Sequence, residues 1–261
     1  MEFAGMVAIG LLIGLLIGLT GLGSGSLLTP LLILVGGLSP ATAVGTSLAF
    51  SFTSKFYGSW NFYRRGMVQM DIVRDLSIGG LPGALAGAFL IRYLGLRQPG
   101  AMDAVLFRSI GAALIVVSLL MIARLLPLAM RPAAMDRTLP VSENVRRAFI
   151  VFAGFGVGAS VTVTSIGSGA ALIPAMILFY RLDSGTLVGT NVFMGTILAG
   201  VAGISHIGLG HVDWRAVAGL LCGSVPALWF ATHLHGRIPR QIPEGIIAAA
   251  LMAMGVHIIF L

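Results

Sequence analysis

The chain has 261 residues, of which 57% are hydrophobic and only 10% are charged, and its mean hydropathy is +1.00. An average soluble domain carries roughly 25% charged residues, so this composition excludes an ordinary soluble protein and predicts a polytopic membrane protein. The net charge of +7 would suggest nucleic-acid binding in a soluble chain. Here the arginines lie between apolar stretches, where they set orientation in the membrane, and no nucleic-acid partner is expected.

The first apolar run, Met6 to Leu19, is interrupted by Gly21-Leu22-Gly23-Ser24-Gly25-Ser26 and resumes as Leu27 to Val35. Three glycines within five residues disfavour a continuous helix. At membrane depth, non-helical backbone is tolerated only where it is buried in protein or lines a wet cavity. The resumed run is also too short for a full crossing, which needs about 20 residues. The pattern predicts a half-helix and a binding site at the break.

The chain then alternates apolar stretches with short polar turns and divides at one long polar connection. Residues 1–130 are predicted as a first membrane repeat, residues 131–147 as a cytoplasmic connection and residues 148–261 as a second membrane repeat. A second break, Ser165-Ile166-Gly167-Ser168-Gly169, precedes another short run, Ala170 to Tyr180. The remaining stretches predicted as spans or parts of spans are Ala41 to Tyr63, Ile72 to Leu94, Ala104 to Leu126, Ala148 to Val163, Thr186 to Leu209, Trp214 to Leu234 and Ile242 to Leu261.

An ungapped shift of 144 residues superposes the two halves. The matches keep one register and include Pro, Ser and Thr, so a duplicated unit explains them better than chance matching of two glycine-rich sequences. The matched positions are Gly23-Ser24-Gly25 on Gly167-Ser168-Gly169, Pro30 on Pro174, Val44-Gly45-Thr46 on Val188-Gly189-Thr190, Gly66 on Gly210, Val68 on Val212, Gly79 on Gly223 and Pro82 on Pro226.

The positions of the arginines favour inverted over parallel repeats. If each broken element crosses the membrane once, the loop arginines divide nine against six between the two sides; if each returns to its own side, they divide eleven against four. The positive-inside rule prefers the second division. We therefore predict an all-α membrane protein of two inverted repeats, each with a broken re-entrant helical hairpin and about three spanning helices. Both termini are expected outside, with Arg64-Arg65, residues 131–147 and Arg237 to Arg240 in the cytoplasm.

A recurring pattern follows each break: an apolar run with a proline, then Gly45-Thr46-Ser47 or Gly189-Thr190-Asn191, then a Gly-x-Val turn at Gly66 or Gly210. Over nearly the whole chain this pattern resembles the TauE/SafE sulfite exporter family. The resemblance implies a multi-pass transporter of the cell (inner) membrane that exports sulfite, sulfonates or related small sulfur-containing anions. It implies neither an enzyme nor a cofactor or metal.

The two breaks are predicted to form the substrate site. A half-helix that starts inside the membrane points unpaired N–H groups and the positive end of its dipole into the cavity, where they favour an anion. Serine hydroxyls at the breaks can donate to oxyanion oxygens, and polar residues opening the following spans could complete the shell, or could merely cap helices and pack between spans. The predicted substrate-binding residues are Gly23, Ser24, Gly25, Ser26, Thr46, Ser47, Lys55, Gly167, Ser168, Gly169, Thr190 and Asn191.

Ionisable residues within the predicted spans are few. Lys55, the only lysine, could supply a fixed positive charge in the cavity or could extend to the surface beside Arg64. The histidines, among them His206 and His211, are interpreted as packed or interfacial rather than as a proton relay. No span carries a central carboxylate, and the membrane potential favours export of one negative charge by about 2.3 kcal/mol per 100 mV. Export without a coupled ion is therefore feasible.

The leading hypothesis is a secondary carrier that exposes one anion site alternately to the two sides. A passive anion channel with the same site as its filter is the alternative. A membrane enzyme is disfavoured, because Leu22 and Ile166 stand where an intramembrane serine protease needs the first glycine of Gly-x-Ser-Gly. The expected partners are a small anionic substrate and the lipid bilayer, and a homo-oligomer is left open.

Overall fold

A computed structural model of the chain describes residues 3–20, 25–97, 99–125, 142–167, 172–234 and 241–260. These residues form ten α-helices and no strand, which confirms the all-α fold class. The helices are α1 (Phe3–Thr20), α2 (Gly25–Leu34), α3 (Pro40–Arg64), α4 (Met70–Arg97), α5 (Pro99–Leu125), α6 (Glu143–Thr164), α7 (Leu172–Phe179), α8 (Ser184–Gly208), α9 (Trp214–Leu234) and α10 (Gln241–Ile259).

Five of the described helices, α4, α5, α6, α8 and α9, are long and apolar enough to cross a membrane. Helices α2 and α7 have only 10 and 8 residues, which corresponds to about 15 and 12 Å of rise. Neither can cross a bilayer alone, and both lie directly after the breaks, where short helices are predicted. The chain is therefore a multi-pass membrane protein with a short helix in each half.

The boundaries of α3 and α8 follow from equivalent local signals. The Ser39 hydroxyl accepts the N–H of Thr42 at the start of α3, and the Asp183 carboxylate accepts the N–H of Thr186 at the start of α8. After the two helices, Gly66 and Gly210 take positive φ angles of 68° and 74°, which end a helix at little cost only when the residue is glycine. Each pair of boundaries is separated by 144 residues.

Helices α4 and α6, from different halves, pack in parallel along a seam of glycines. A Cβ added to Gly79 would lie 2.8 Å from the carbonyl carbon of Val151, and one added to Gly83 would lie 2.8 Å from that of Phe155. The backbones of the two helices can approach so closely that an added Cβ would clash, because neither glycine carries a side chain, as in other membrane helix pairs.

The equivalent seam joins α1 to α9. A Cβ on Gly14 would lie 2.8 Å from the Cα of Ser224, and one on Gly223 would lie 2.7 Å from the backbone nitrogen of Leu11. These two helices also run in parallel, and Gly223 is the counterpart of Gly79 under the 144-residue shift. In both seams, therefore, the first helix of one half packs on a helix of the other half.

Helices that correspond between the halves pack against each other in opposite directions. In the α3–α8 pair, Gly203 faces Leu48 near the start of α3, whereas Phe193 stacks on Tyr63 near its end. In the α5–α10 pair, Gly255 lies near Gly111 and the Ser118 hydroxyl donates to the carbonyl of Ala248 at 2.7 Å. Equivalent helices of the two halves are thus antiparallel.

An ion pair distinguishes the α4–α6 seam from its counterpart. The Arg147 Nε on α6 donates to the Asp75 carboxylate on α4 at 3.0 Å, and Asp75 is only 7% exposed. The equivalent positions in the α1–α9 pair are Phe3 and Gly219, where an added Cβ would lie 3.4 Å from the phenylalanine ring. The two seams therefore share a backbone arrangement but differ in their charge.

Candidate functional site

The second break has a defined backbone geometry at the end of α6. Helix α6 stops at Thr164, and Ser165 adopts a left-handed conformation with φ 61°. Gly167 has φ 114°, a value that residues with a Cβ rarely adopt. The N–H of Ile166 donates to the Thr164 hydroxyl at 3.1 Å, and that hydroxyl donates to the Ser160 carbonyl at 2.7 Å. Side-chain hydrogen bonds thus stabilise the exit from the helix.

The side chain of His206 completes the end of α6. In a continuous helix the Thr162 carbonyl would accept the N–H of Ile166, but here the hydroxyl of Thr164 holds that N–H. His206, fully buried on α8, places its Nε2 2.9 Å from the freed Thr162 oxygen. Because a carbonyl can only accept, Nε2 must carry the hydrogen. No motif in the sequence indicates this contact.

Three buried hydroxyl groups have no hydrogen-bond partner within the described part of the chain. They belong to Thr29 on α2, Ser47 on α3 and Ser165 at the break, which are 0%, 0% and 3% exposed. Leaving a buried hydroxyl unbonded costs about 1–3 kcal/mol, so such groups mark places where a bound guest could supply the missing bond. Thr29 and Ser165 are not predicted site residues, because hydroxyls in apolar helices usually bond to their own backbone.

The predicted residues at the two breaks are described only in part. Gly25 begins α2, Ser26 is half-buried in its first turn, and Gly167 is buried at the end of α6. Each break therefore contributes at least one described residue of the predicted set. The predicted residues that lie outside the described ranges are Gly23, Ser24, Ser168 and Gly169.

Thr46 and Thr190 each hold a loop of the opposite half. The Thr46 hydroxyl accepts the N–H of Asp213 at 3.1 Å, and the Thr190 hydroxyl accepts the N–H of Gln69 at 3.0 Å. The two bonds are equivalent, since adding 144 converts 46 to 190 and 69 to 213. Both threonines thus have a structural contact that explains their burial, and a ligand contact by either stays a prediction.

The glycines before these threonines allow the loops to approach. A Cβ on Gly45 would meet the carbonyl of His211, and one on Gly189 would meet the carbonyl of Met67. The Gly-Thr pairs and the Gly-x-Val turns of the sequence are therefore two sides of one contact, made twice. Their recurrence reflects how the halves interlock.

Replacing Thr46 or Thr190 by valine should destabilise the protein by about 1–2 kcal/mol, because each change leaves a backbone N–H of the opposite loop unbonded. Thermal unfolding of the purified protein in detergent measures the effect. Thr53→Val is the control, since its hydroxyl bonds only to the Ala49 carbonyl of its own helix, at 2.9 Å. Equal melting temperatures for all three variants would contradict the interlocking role.

The other predicted polar residues lie on the same two helices. Ser47 and Asn191 are equivalent and buried, next to the interlocking threonines on α3 and α8. Lys55 lies eight residues after Ser47 and is half-buried on α3. A role for these three residues in binding the substrate stays a prediction.

Two apolar clefts of about 440 and 450 Å³ lie along the α3–α8 pair. Most of their lining residues correspond under the 144-residue shift, so the clefts are equivalent features of the two halves. No charged side chain of the described residues lines either of them, and an anion would find few partners there. Members related by the shift are Phe52 and Thr196, Phe56 and Gly200, Ser59 and Gly203, Trp60 and Ile204, Tyr63 and Ile207, and Met70 and Trp214.

Comparison with known proteins agrees with the membrane fold. Residues 6–258 match the family model described as "Sulfite exporter TauE/SafE". The chain is 33% identical to the probable membrane transporter protein YjnA of Bacillus subtilis over 256 residues, which covers 97% of this chain and 98% of the relative. It is 24% identical to YunE and 26% identical to YdhB of the same organism, also named probable membrane transporter proteins, with at least 95% of each chain covered. No solved structure gives a significant match.

Proposed function

This chain belongs to the sulfite exporter TauE/SafE family, and from that premise we propose that it exports a small sulfur-containing anion, sulfite or an organosulfonate, through the cell (inner) membrane. The chain is a membrane transporter, as its relatives are named, and not an enzyme. In the proposal, one site at the two helix breaks opens alternately to the two sides.

The observation that carries this proposal is the geometry of the second break. Helix α6 ends at Thr164 within an apolar stretch, and the turn through Ser165 and Gly167 is buried. Irregular backbone at membrane depth requires protein or a polar guest around it. The Ser165 hydroxyl has no partner among the described residues, and sulfite and sulfonates present three oxygens that accept hydrogen bonds.

The proposed site combines the two breaks. The first break contributes Gly23, Ser24, Gly25 and Ser26, and the second contributes Gly167, Ser168 and Gly169. The buried hydroxyls of Thr29, Ser47 and Ser165 extend this set, and Asn191 and Lys55 remain candidate ligands. Thr46 and Thr190 serve the site by holding the opposite loops, so that the helices that follow the breaks keep their positions.

Inverted repeats and a re-entrant hairpin in each half belong to the same proposal. The antiparallel packing of α3 on α8 and of α5 on α10 supports an axis of symmetry parallel to the membrane. Short turns reverse the chain between α3 and α4 and between α8 and α9, and α5 starts only two residues after α4 ends. With α3 antiparallel to α8, the ends of α3, α5 and α9 then fall on one side, and the start of α1, which runs parallel to α9, falls on the other. The predicted cytoplasmic arginines belong to these ends, which leaves both termini outside.

Flux measurements on reconstituted protein test the proposed function. Proteoliposomes should release radiolabelled sulfite or methanesulfonate faster than protein-free liposomes, and the same anion on the opposite side should accelerate that release, because a carrier returns faster when loaded. Sulfate, thiosulfate and simple carboxylates complete the substrate panel. Large single-channel currents without acceleration by external anion would favour the passive channel, and no flux of any sulfur anion would overturn the proposal.

A further inference from the structure

His206 is a buried imidazole in which one ring nitrogen is hydrogen-bonded and the other has no partner among the described residues. Its Nε2 donates to the Thr162 carbonyl at 2.9 Å, so the lone pair of the neutral ring lies on Nδ1. That Nδ1 is buried and has no hydrogen-bond partner in the described part of the chain. Protonation at Nδ1 would give an imidazolium that keeps its bond to Thr162.

A second imidazole lies beside His206. The ring of His211 lies with its centroid 5.4 Å from that of His206, and it is half-buried in the loop that follows α8. Its Nδ1 is likewise buried without a described partner. Burial lowers the pKa of His211 below its usual value, which disfavours a positive charge on this ring.

Fixed charges are sparse around His206. Helix α8 contains no charged residue, and those of α6 are confined to its first two turns, residues 143–147. On α3, Gly45 faces His206, and Lys55 lies ten residues further along. Asp213 and the exposed Arg215 follow α8, and the Asp213 carboxylate accepts the N–H of Ala216. On α4, the exposed Arg92 lies across a cleft of about 350 Å³ from Ser205 and Leu209, and the other charged residues of that helix lie near its ends, at Asp71, Arg74, Asp75 and Arg97.

His206 lies close to the second break, so a charge on its ring would act on an anion bound there. Thr162, which it contacts, precedes Ser165 by three residues, about 5 Å along the helix. The carbonyl end of α6 carries a partial negative charge that repels an anion, and a protonated His206 would offset that charge. The counterpart of His206 in the first half is Phe62, which cannot bind a proton.

We propose that His206 binds a proton at Nδ1 when an anion occupies the second break, so that anion and proton bind together. A solvent hydronium ion gives up the proton, which adds to the lone pair of Nδ1 and leaves a water molecule. This inference rests on the proposed function. An imidazolium within about 10 Å of a monovalent anion strengthens its binding roughly tenfold; by linkage, the anion strengthens proton binding by the same factor.

Calorimetry of anion binding in two buffers of different ionisation enthalpy tests the proposal. The probe is methanesulfonate, which stays fully ionised across the pH range and so adds no titration of its own, with sulfite as a second probe. The wild-type protein in lipid nanodiscs should take up about half a proton per anion bound at most, as a tenfold coupling allows, and should bind methanesulfonate up to roughly tenfold more weakly at high pH than at a pH low enough to protonate His206.

Two substitutions separate proton binding from capping of the helix. His206→Gln keeps an N–H for the Thr162 carbonyl but cannot titrate, so it should bind methanesulfonate without proton uptake and without pH dependence. His206→Phe, which introduces the side chain that Phe62 carries in the first half, should lose proton uptake and also bind more weakly. Undiminished proton uptake by His206→Gln would overturn the proposal, as would anion binding by the wild type with no proton uptake. No binding of either anion to the wild type would instead overturn the proposed function, and this inference with it.

Discussion

Replacing Gly79 by alanine is expected to lower the melting temperature of the purified protein by roughly 5–10 °C. The new Cβ would lie 2.8 Å from the carbonyl carbon of Val151 and 2.9 Å from the nitrogen of Phe155. Both are backbone atoms, which cannot turn away as a side chain can, so α4 and α6 must separate. Overpacking of this kind costs about 1–3 kcal/mol. Thermal unfolding followed by size-exclusion chromatography in detergent measures the loss.

The repeat offers a matched experiment on the other seam. Gly223→Ala should have a similar effect, because its Cβ would lie 2.7 Å from the nitrogen of Leu11 on α1. Gly156→Ala is the control within α6, since nothing lies within 4 Å of a Cβ built there. If Gly79→Ala and Gly223→Ala melted at the same temperature as Gly156→Ala, close backbone contact between the halves would be refuted.

Replacing Gly167 by alanine is expected to reduce anion flux at least tenfold while the protein remains folded in the membrane. A steric clash does not cause this effect, because a Cβ on residue 167 would meet only the Ser160 hydroxyl oxygen, at 3.7 Å. The effect comes from the backbone, because φ 114° is strained for any residue with a Cβ, at a cost of about 1–3 kcal/mol. The turn should therefore relax and move the groups of the break out of position.

The readouts for Gly167→Ala are flux in proteoliposomes and melting temperature in detergent, measured together. Gly208→Ala serves as the control: this glycine ends α8, and a Cβ there meets nothing within 4 Å. The Gly208→Ala variant should transport like the wild type. Wild-type flux from Gly167→Ala would remove the left-handed turn from the proposed mechanism.

Much of the architecture is predictable from particular residues. The glycines of the two breaks predict that the helices are interrupted, and short helices α2 and α7 follow them. Ser39-Pro40 and Asp183 are strong helix-start signals, and they coincide with the starts of α3 and α8. The 144-residue shift places both ends of α3 on the ends of α8, because the two helices share the residue types that start and end a helix.

Contacts between distant segments escape prediction for a physical reason. A glycine in an apolar helix signals close packing but does not identify its partner, so the pairing of Gly79 with Val151 has no local signal. From the sequence, the hydroxyl of Thr46 could bind a ligand or contact a loop, because a hydroxyl group can form either hydrogen bond. His206 resembles any packed histidine until α6 is placed beside it and its Nε2 meets the Thr162 carbonyl.

The two glycine seams also constrain how the protein is made. Helix α1 leaves the ribosome long before its packing partner, α9, which begins at Trp214, almost two hundred residues later. During synthesis, the small-residue face of α1 must therefore stay in contact with lipid or with the insertion machinery. A chain that stops after the first half has no correct surface to fold against, so it should be recognised and degraded by membrane quality control.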